Sequence, residues 1–468
     1  MSRVGREWKV LVLVSVAAAG SGLDLSLMFV AFPEIQRSFD DVSAAQISWV
    51  LTSFTIVAAS LLIVAGRFAD QFGRRRVFLT GLALFASGSA LSGAAPMVEL
   101  LIAARVVQAI GGAMLTPSSL ALIMSTFPPE KRSAAIGFWS TMSGVVVSAA
   151  PTIGSGIIQL SSWRWAFYIN VPLGAVCWVL ARRIVPESVA PDAEGVPDLV
   201  GVGQILLGVA LLAFAIVQTD EWGWIDPRTA APAALAVLVM VWFGRRCARH
   251  PRPVVDPELF RSAFFRSDAV AALSVGACFF GAYFVFIQFL TRVWGFSIVE
   301  TGLAVTPMSA ASSVVGYPAG RLMDRWGPGV VMMPGALCLG LGCVWLLRAD
   351  ADPAVLTIWV PAMALVGLGV GMLFPGVNSA VAHGVDAARL GTAAAVVQTL
   401  IRIGGTLGAA IGVAVLGDDA TDLADYRLMF SFIACGCVVV LGATAGLVRA
   451  QRVPAVRPPS TRNSEPVQ

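Results

Sequence analysis

Apolar runs of roughly twenty residues recur along nearly the whole chain, separated by short polar stretches. Each run is long enough to cross about 30 Å of hydrocarbon as a helix. A closed β-barrel is the other structure that satisfies every backbone amide in lipid, but its signal is ten-residue alternation, which this sequence lacks. Only 13% of the 468 residues are charged, against about 25% in a soluble domain. The pattern implies an all-α polytopic membrane protein. The runs place helices near 10–32, 47–66, 77–94, 98–125, 134–157, 166–182, 200–218, 230–244, 268–290, 300–320, 329–347, 355–379, 391–415 and 428–447, fourteen in all. The first thirty residues have the basic start of a signal peptide, yet the apolar run continues to Phe32, so it reads as a retained span.

Charge placement fixes an orientation. Of 32 Lys and Arg, 24 fall on the segments that are inside if the N-terminus is inside, six fall outside, and Arg105 and Arg402 fall within spans. Cytoplasmic loops carry such an excess, so both termini are expected in the cytoplasm. The tail 451–468 is polar and proline-rich and is expected to be disordered.

The chain also repeats itself. GRFADQFG from Gly66 and GRLMDRWG from Gly320 lie 254 residues apart, and Gly137 and Gly391 share that offset. Duplication then gives a six-helix bundle over 1–185, a second over 262–450, and two extra helices in the linker 186–261. Parallel repeats with a site at their interface are a plan of secondary transporters. Seven cysteines form no metal or redox pattern, and His250 and His383 are the only histidines. No metal-ligand cluster, P-loop or triad is present, which argues against a membrane-bound enzyme and against ATP hydrolysis. A cofactor and a nucleic-acid partner are not expected.

GRFADQFGRRRVFL, from Gly66 to Leu79, resembles the cytoplasmic signature of the major facilitator superfamily. RVVQAIGGAM, from Arg105, resembles the fourth-helix motif of its proton-coupled members. WRWAFYINVPLG, from Trp163, and LDLSLMFVAFP, from Leu23, are similar to stretches of the fourteen-span drug:proton antiporters. The resemblance covers nearly the whole chain. It implies alternating-access export of lipophilic or amphiphilic small molecules, driven by the proton gradient, from a protein of the bacterial inner membrane that works as a monomer among lipids. Export of a single metabolite, proton symport, or a non-transporting receptor are the alternatives. The fifth-helix antiporter motif, usually G-P-x-x-G-G, reads APTIGS here; it keeps Pro151 and Gly154, with Gly144 upstream, as packing points. The first-helix pattern normally has asparagine where this chain has Phe29.

Asp24 is the residue that least fits its surroundings, a carboxylate within the first apolar run. An intramembrane acid is costly and by default suggests function. With helix one ending near Phe32, Asp24 lies about 12 Å below the outer boundary, and Arg105 lies about 9–10 Å below it on helix four. Desolvation favours the protonated carboxyl and a nearby guanidinium favours the ionised one. Asp24 is therefore the candidate proton carrier and Arg105 its tuner, with a static salt bridge as the rival. Arg402, about 16 Å into helix thirteen, has three open roles: substrate contact, pairing with Asp24, or bonding to carbonyls. The resemblance makes Gly66, Asp70, Gly73, Arg74 and Arg75 a cytoplasmic latch that favours the outward-open state, with Asp324 and Gly327 as its second copy. Gly111, Gly112, Gly404 and Gly405 read as close-packing points. Met28, Phe29, Gln108, Gln288, Asn378, Gln398 and Arg402 are the candidates for the substrate pocket, because they fall on the family's cavity-lining helices.

Overall fold

With no water in hydrocarbon to satisfy amides, the chain closes each apolar run into a helix. The structure is a computed structural model, and it describes residues 3–452 apart from 40, 41, 43, 144, 147–160, 190–197, 218–221, 224, 225, 252, 254, 256, 386–388 and 417–421. The helices are α1 Arg3–Ser38, α2 Ala44–Phe72, α3 Arg74–Ala94, α4 Val98–Thr126, α5 over 132–143, α6 Asn170–Ile184, α7 Leu199–Val217, α8 Pro227–Cys247, α9 Ala263–Gln288, α10 Ile298–Trp326, α11 Pro328–Leu346, α12 Val360–Gly384, α13 Leu390–Leu416 and α14 Leu423–Arg452. Among the described residues, ten are long and apolar enough to cross a membrane; α1, α5, α7 and α10 are the others. No strand occurs among these residues.

Two packing groups form. In one, α4 packs along α2 and α3, and α1 and α6 close against them; in the other, α9 packs along α13 and α14, and α12 along α10 and α11. α7 and α8 pair with each other, and α7 leans on α2. Small residues set the spacing. A Cβ on Gly111 would press on the backbone of Phe85 and lie 2.7 Å from the Gly81 carbonyl, and one on Gly404 would meet the carbonyl of Leu273. Gly405 lies against Phe280, and Gly112 has ordinary contacts only.

Several ends differ from the sequence expectation. α1 runs six residues past Phe32, because FPEIQRS keeps its helix outside the apolar run. α9 begins at Ala263 rather than 268, since the Ser262 hydroxyl accepts the Phe265 N–H and starts the helix early. That shift moves Asp268 from a helix end to the interior. The tail 453–468 and the motif residues Gly144, Pro151 and Gly154 lie outside the described residues, as does the side chain of Phe29.

The ends of α7 and α8 are clasped by Asp198. Its carboxylate accepts from Arg246 Nε at 2.8 Å and Nη2 at 2.8 Å, and from the Gly201 amide at 2.9 Å. The hydrogen bonds from Arg246 hold the Asp198 carboxyl below the usual carboxylate range. A depressed folded-state pKa contributes stability above the unfolded value, about 3.9, that is lost as pH falls through the folded one. We expect the Tm of the wild-type protein in detergent to fall as pH drops below about 4. Asp198→Asn should show a lower Tm at neutral pH and a weaker acid dependence; matching acid profiles would remove Asp198 from the account.

Candidate functional site

Asp24 and Arg105 meet inside the first packing group, both 0% exposed. Arg105 Nη1 donates to Asp24 Oδ2 at 2.6 Å. Asp24 Oδ1 accepts from Gln108 Nε2 at 2.7 Å and from Asn170 Nδ2 at 3.0 Å. Arg105 also donates to Gln108 Oε1 at 2.8 Å and, through Nε, to the Val50 carbonyl at 3.1 Å. Behind the carboxylate, Ser89 Oγ accepts from Gln108 at 3.0 Å and Asn170 at 3.2 Å and donates to the Phe167 carbonyl at 3.0 Å. The guanidinium lies over the Phe54 ring at 4.3 Å, with Phe167 at 5.6 Å. Side chains from α1, α3, α4 and α6 thus converge on one carboxylate. Gly88 allows it, because a Cβ there would stand 2.5 Å from the Gln108 backbone nitrogen.

The chemistry of the nest is one-sided. Every group that touches Asp24 is a donor, and the amide hydrogens of Gln108 and Asn170 are all spent on Asp24 and Ser89. A carboxylate accepts only, whereas a protonated carboxyl must place a hydrogen somewhere. The nest therefore fits the ionised form, and a proton on Oδ2 would be directed at Arg105 Nη1. Sequence reasoning reached Asp24 and Arg105, placed Gln108 in the pocket set, and missed Asn170 and Ser89. Asn170 stood in view as the one amide of WRWAFYINVPLG; Ser89 carried no signal.

At the opposite end of the molecule, where Arg3 and Arg452 lie, two further carboxylates join the packing groups. Asp70, at the end of α2, accepts from the amides of Gly391 at 3.2 Å and Thr392 at 2.9 Å, from Thr392 Oγ1 at 3.2 Å and from Arg74 Nη2 at 3.2 Å. These amides begin α13, so the charge sits at the positive end of a 27-residue helix. Asp324, on α10, accepts from the amides of Ser133 at 2.8 Å and Ala134 at 3.0 Å, at the start of α5. A Cβ on Gly66 would stand 2.5 Å from the Gly391 carbonyl, and one on Gly320 would overlap the Ser133 carbonyl. Gly73 and Gly327 are the single residues between α2 and α3 and between α10 and α11, with φ of 105° and 83° that only glycine adopts freely. Arg75 is half-buried; its amide donates to Glu187 at 3.1 Å and its side chain to the Arg182 carbonyl at 2.7 Å.

The two latches are equivalent, with one correction to the repeat. Ser133 and Gly391 play the same part, 258 residues apart, so Gly137 lies one helical turn deeper than Gly391 rather than matching it. Gly137 instead faces Gly316 and Gly320.

The pocket candidates disperse. Met28 is packed in an apolar cluster with Leu27, Trp163 and Phe167. Gln398 Nε2 donates to Asn378 Oδ1 at 2.8 Å, and Asn378 Nδ2 to the Phe374 carbonyl at 2.8 Å, which joins α13 to α12. Beside this pair, the rings of Phe279 and Phe374 meet at 5.2 Å and those of Phe279 and Tyr283 at 6.1 Å. Gln288 and Arg402 are half-buried on α9 and α13, and Arg402 is not bonded to Asp24, whose bonds come from α4 and α6.

Carboxylate-to-helix contacts between two helix groups, and a buried ion pair away from them, suit a membrane transporter. Comparison with known proteins agrees. The family model described as Major Facilitator Superfamily matches residues 14–409 and 269–466. The chain is 32% identical to the tetracenomycin C resistance and export protein of Streptomyces glaucescens over 87% of this chain and 75% of the relative. It is 32% identical to the puromycin resistance protein of Streptomyces alboniger, over 90% and 84%. It is 28% identical to a methylenomycin A resistance protein of Streptomyces coelicolor, over 95% and 94%. Among solved structures, the human organic anion transporter MFSD10 has a TM-score of 0.70 at 15% identity, covering 94% of this chain and 99% of its own. The proton:xylose symporter XylE gives 0.66 at 13%, covering 96% and 97%. The chain belongs to the major facilitator superfamily. It is a multi-pass membrane transporter.

The latch geometry makes a direct prediction. Ala395 is buried against Gly66. In a variant carrying Ala395→Cys, with the exposed Cys435 replaced by serine, Asp70→Asn or Gly66→Val should raise labelling by a water-soluble maleimide several-fold. Unchanged labelling would mean that Asp70 and Gly66 do not hold this end closed.

Proposed function

We propose that the protein is a proton-driven exporter of lipophilic or amphiphilic small molecules, of the fourteen-span antiporter type, with both termini in the cytoplasm. In this reading, α1–α6 and α9–α14 are the two bundles and α7 and α8 an insertion between them. The latches then lie at the cytoplasmic end, and their closure corresponds to the outward-facing side of the cycle. No cofactor is needed; the proton gradient supplies the energy, and the protein acts as a monomer among lipids of the bacterial inner membrane.

The observation that carries the reading is the sealed nest around Asp24. Proton binding works against this arrangement of α1, α4 and α6. A proton on Asp24 cancels the charge that holds Arg105 Nη1 and turns an acceptor into a donor facing donors. Arg105 keeps the Val50 carbonyl and Gln108 Oε1, so it has places to go without leaving the hydrocarbon. The helices must then move apart or the proton must leave, which is the linkage that antiport needs.

The relatives named for resistance to antibiotics supply the direction and the substrate class, and the aromatic cluster beside Asn378 and Gln398 suits flat, apolar compounds. The printed names of three relatives each specify one antibiotic. That favours a second, narrower reading in which the chain exports one compound.

Everted vesicles loaded with the wild-type protein should release protons on addition of tetracenomycin C, puromycin or methylenomycin A. Asp24→Asn should abolish pH-driven export, at least tenfold below wild type, with the protein still present in the membrane. Breaking one side of a buried pair costs about 3–5 kcal/mol, so stability alone cannot decide. The double variant Asp24→Asn/Arg105→Gln removes both charges. If it recovers Tm but not export, Asp24 carries the proton; if export also recovers, the pair is a static bridge and the coupling reading fails.

A further inference from the structure

The carboxylates described above are all held: Asp24 by three donor groups, Asp70 by four hydrogen bonds, Asp198 by Arg246 and the Gly201 amide, and the half-buried Asp324 by two amides. Asp268 is not. It lies five residues into α9 and is 1% exposed, and neither carboxyl oxygen has a hydrogen-bond partner among the described residues.

Its turn of α9 is enclosed on three sides. Phe264 lies against Gly384 at the end of α12, Ser267 against Gly446 of α14, and Leu273 against Gly404 of α13. Gly276 beside Ile401 sets the register of α9 on α13 and brings Thr399 to within about a turn of the level of Asp268. The Thr399 hydroxyl is likewise buried without a partner among the described residues. The charged groups nearest this level are Arg266 on α9 itself, Glu258 and Arg261 in the turn Pro257–Arg261, His383 on α12, Arg389 just before α13, Arg402 on α13 and Arg449 on α14. Glu258 is taken by Arg389, Arg266 donates to the Phe260 and Arg261 carbonyls, and His383 faces the Ser379 carbonyl. An ionised carboxylate without water, cation or donor is not tolerated in such a place; it takes up a proton instead.

We infer that Asp268 is a second proton-binding residue, distinct from Asp24, that is protonated while the latched end is closed. α13, which walls one side of Asp268, is the helix whose first turn Asp70 holds. Release of that latch opens the same end to water. The carboxyl O–H then gives its proton to water, and the carboxylate that remains is solvated. Asp24 and Asp268 would thus hold their protons in opposite phases, Asp24 being ionised in the conformation in which Asp268 is neutral. The use of this proton in transport rests on the function proposed above; its presence does not.

Infrared difference spectroscopy of the full-length protein in lipid nanodiscs at neutral pH reads the proton directly. The wild type should show the carbonyl stretch of a protonated carboxylic acid, present in Asp24→Asn and lost in Asp268→Asn. A band unchanged in Asp268→Asn overturns the assignment. With both latches broken, as Asp70→Asn/Asp324→Asn, the band should titrate away at lower pH than in the wild type; the same titration would overturn the link to opening. Asp268 takes its proton from the water at the latched end and returns it there. In everted vesicles exporting puromycin or tetracenomycin C, Asp268→Asn should therefore release as many protons per molecule exported as the wild type. Its export rate should lose dependence on the pH at that end, which Asp268→Glu should keep. An infrared band at Asp268 with an unchanged pH dependence of export in Asp268→Asn overturns its part in opening. A wild type that releases no proton at all instead removes the antiport reading, while the infrared result still decides whether Asp268 holds a proton.

Discussion

Hydrocarbon solvates neither an amide nor a carboxylate, and the unusual features of this chain are answers to that constraint. The amides are answered by helices. The carboxylates are answered one by one: a guanidinium and two side-chain amides at Asp24, a helix terminus at Asp70 and at Asp324. The Asp24–Arg105 pair is the interaction on which the first packing group depends, because it ties α1 to α4 and, through Asn170 and Ser89, to α6 and α3. Its worth is not simple stability. Desolvating two ions roughly cancels their attraction, so a well-packed apolar contact would hold the helices as firmly. In the function proposed above, what the pair adds is a dependence of that packing on one proton.

The latches use the same currency with a different partner. Asp70 and Asp324 face backbone amides at the starts of α13 and α5, and amides do not titrate. Two glycines on each side bring the helices close enough for the carboxylate to reach, and the single glycine after α2 and after α10 turns the chain at once into the next helix. Sequence duplication accounts for the pairing being reciprocal: each half supplies one acid and one helix start.

Much of this was legible in the sequence, and the failures have physical causes. Apolar length and basic loops gave the helix order, because lipid thickness and charge placement act on composition directly. Depth counting brought Asp24 and Arg105 to one level, although the end of α1 was placed six residues short; the polar FPEIQRS stretch has no apolar signal and stays helical by continuation. Asp268 was lost for the same reason at the other end. RSAFFR reads as a loop by charge, yet Ser262 caps a helix there, and five residues decide whether an acid is a solvated end or a buried group. Asn170 and Ser89 were out of reach because their role comes from four helices meeting, which no spacing along the chain encodes. The Gly137–Gly391 match misled because both helices are rich in small residues, and glycine recurs at one-turn intervals.

The partners of each acid sort the four by what a proton would do to them. At Asp70 a proton would discard one arginine and weaken bonds to amides that remain in place, so the latch would loosen without reorganising. At Asp24 it would set a donor against donors, which the nest can resolve only by moving helices. Asp268 has nothing to lose by protonation and everything to lose by ionisation until water arrives. In the function and the Asp268 assignment proposed above, these three kinds of site set an order of events: the latched end opens before Asp268 ionises, and the nest opens before Asp24 is protonated. Since the two sites lie toward opposite ends of the bundle, opening one end at a time is enough to keep both protons from moving together.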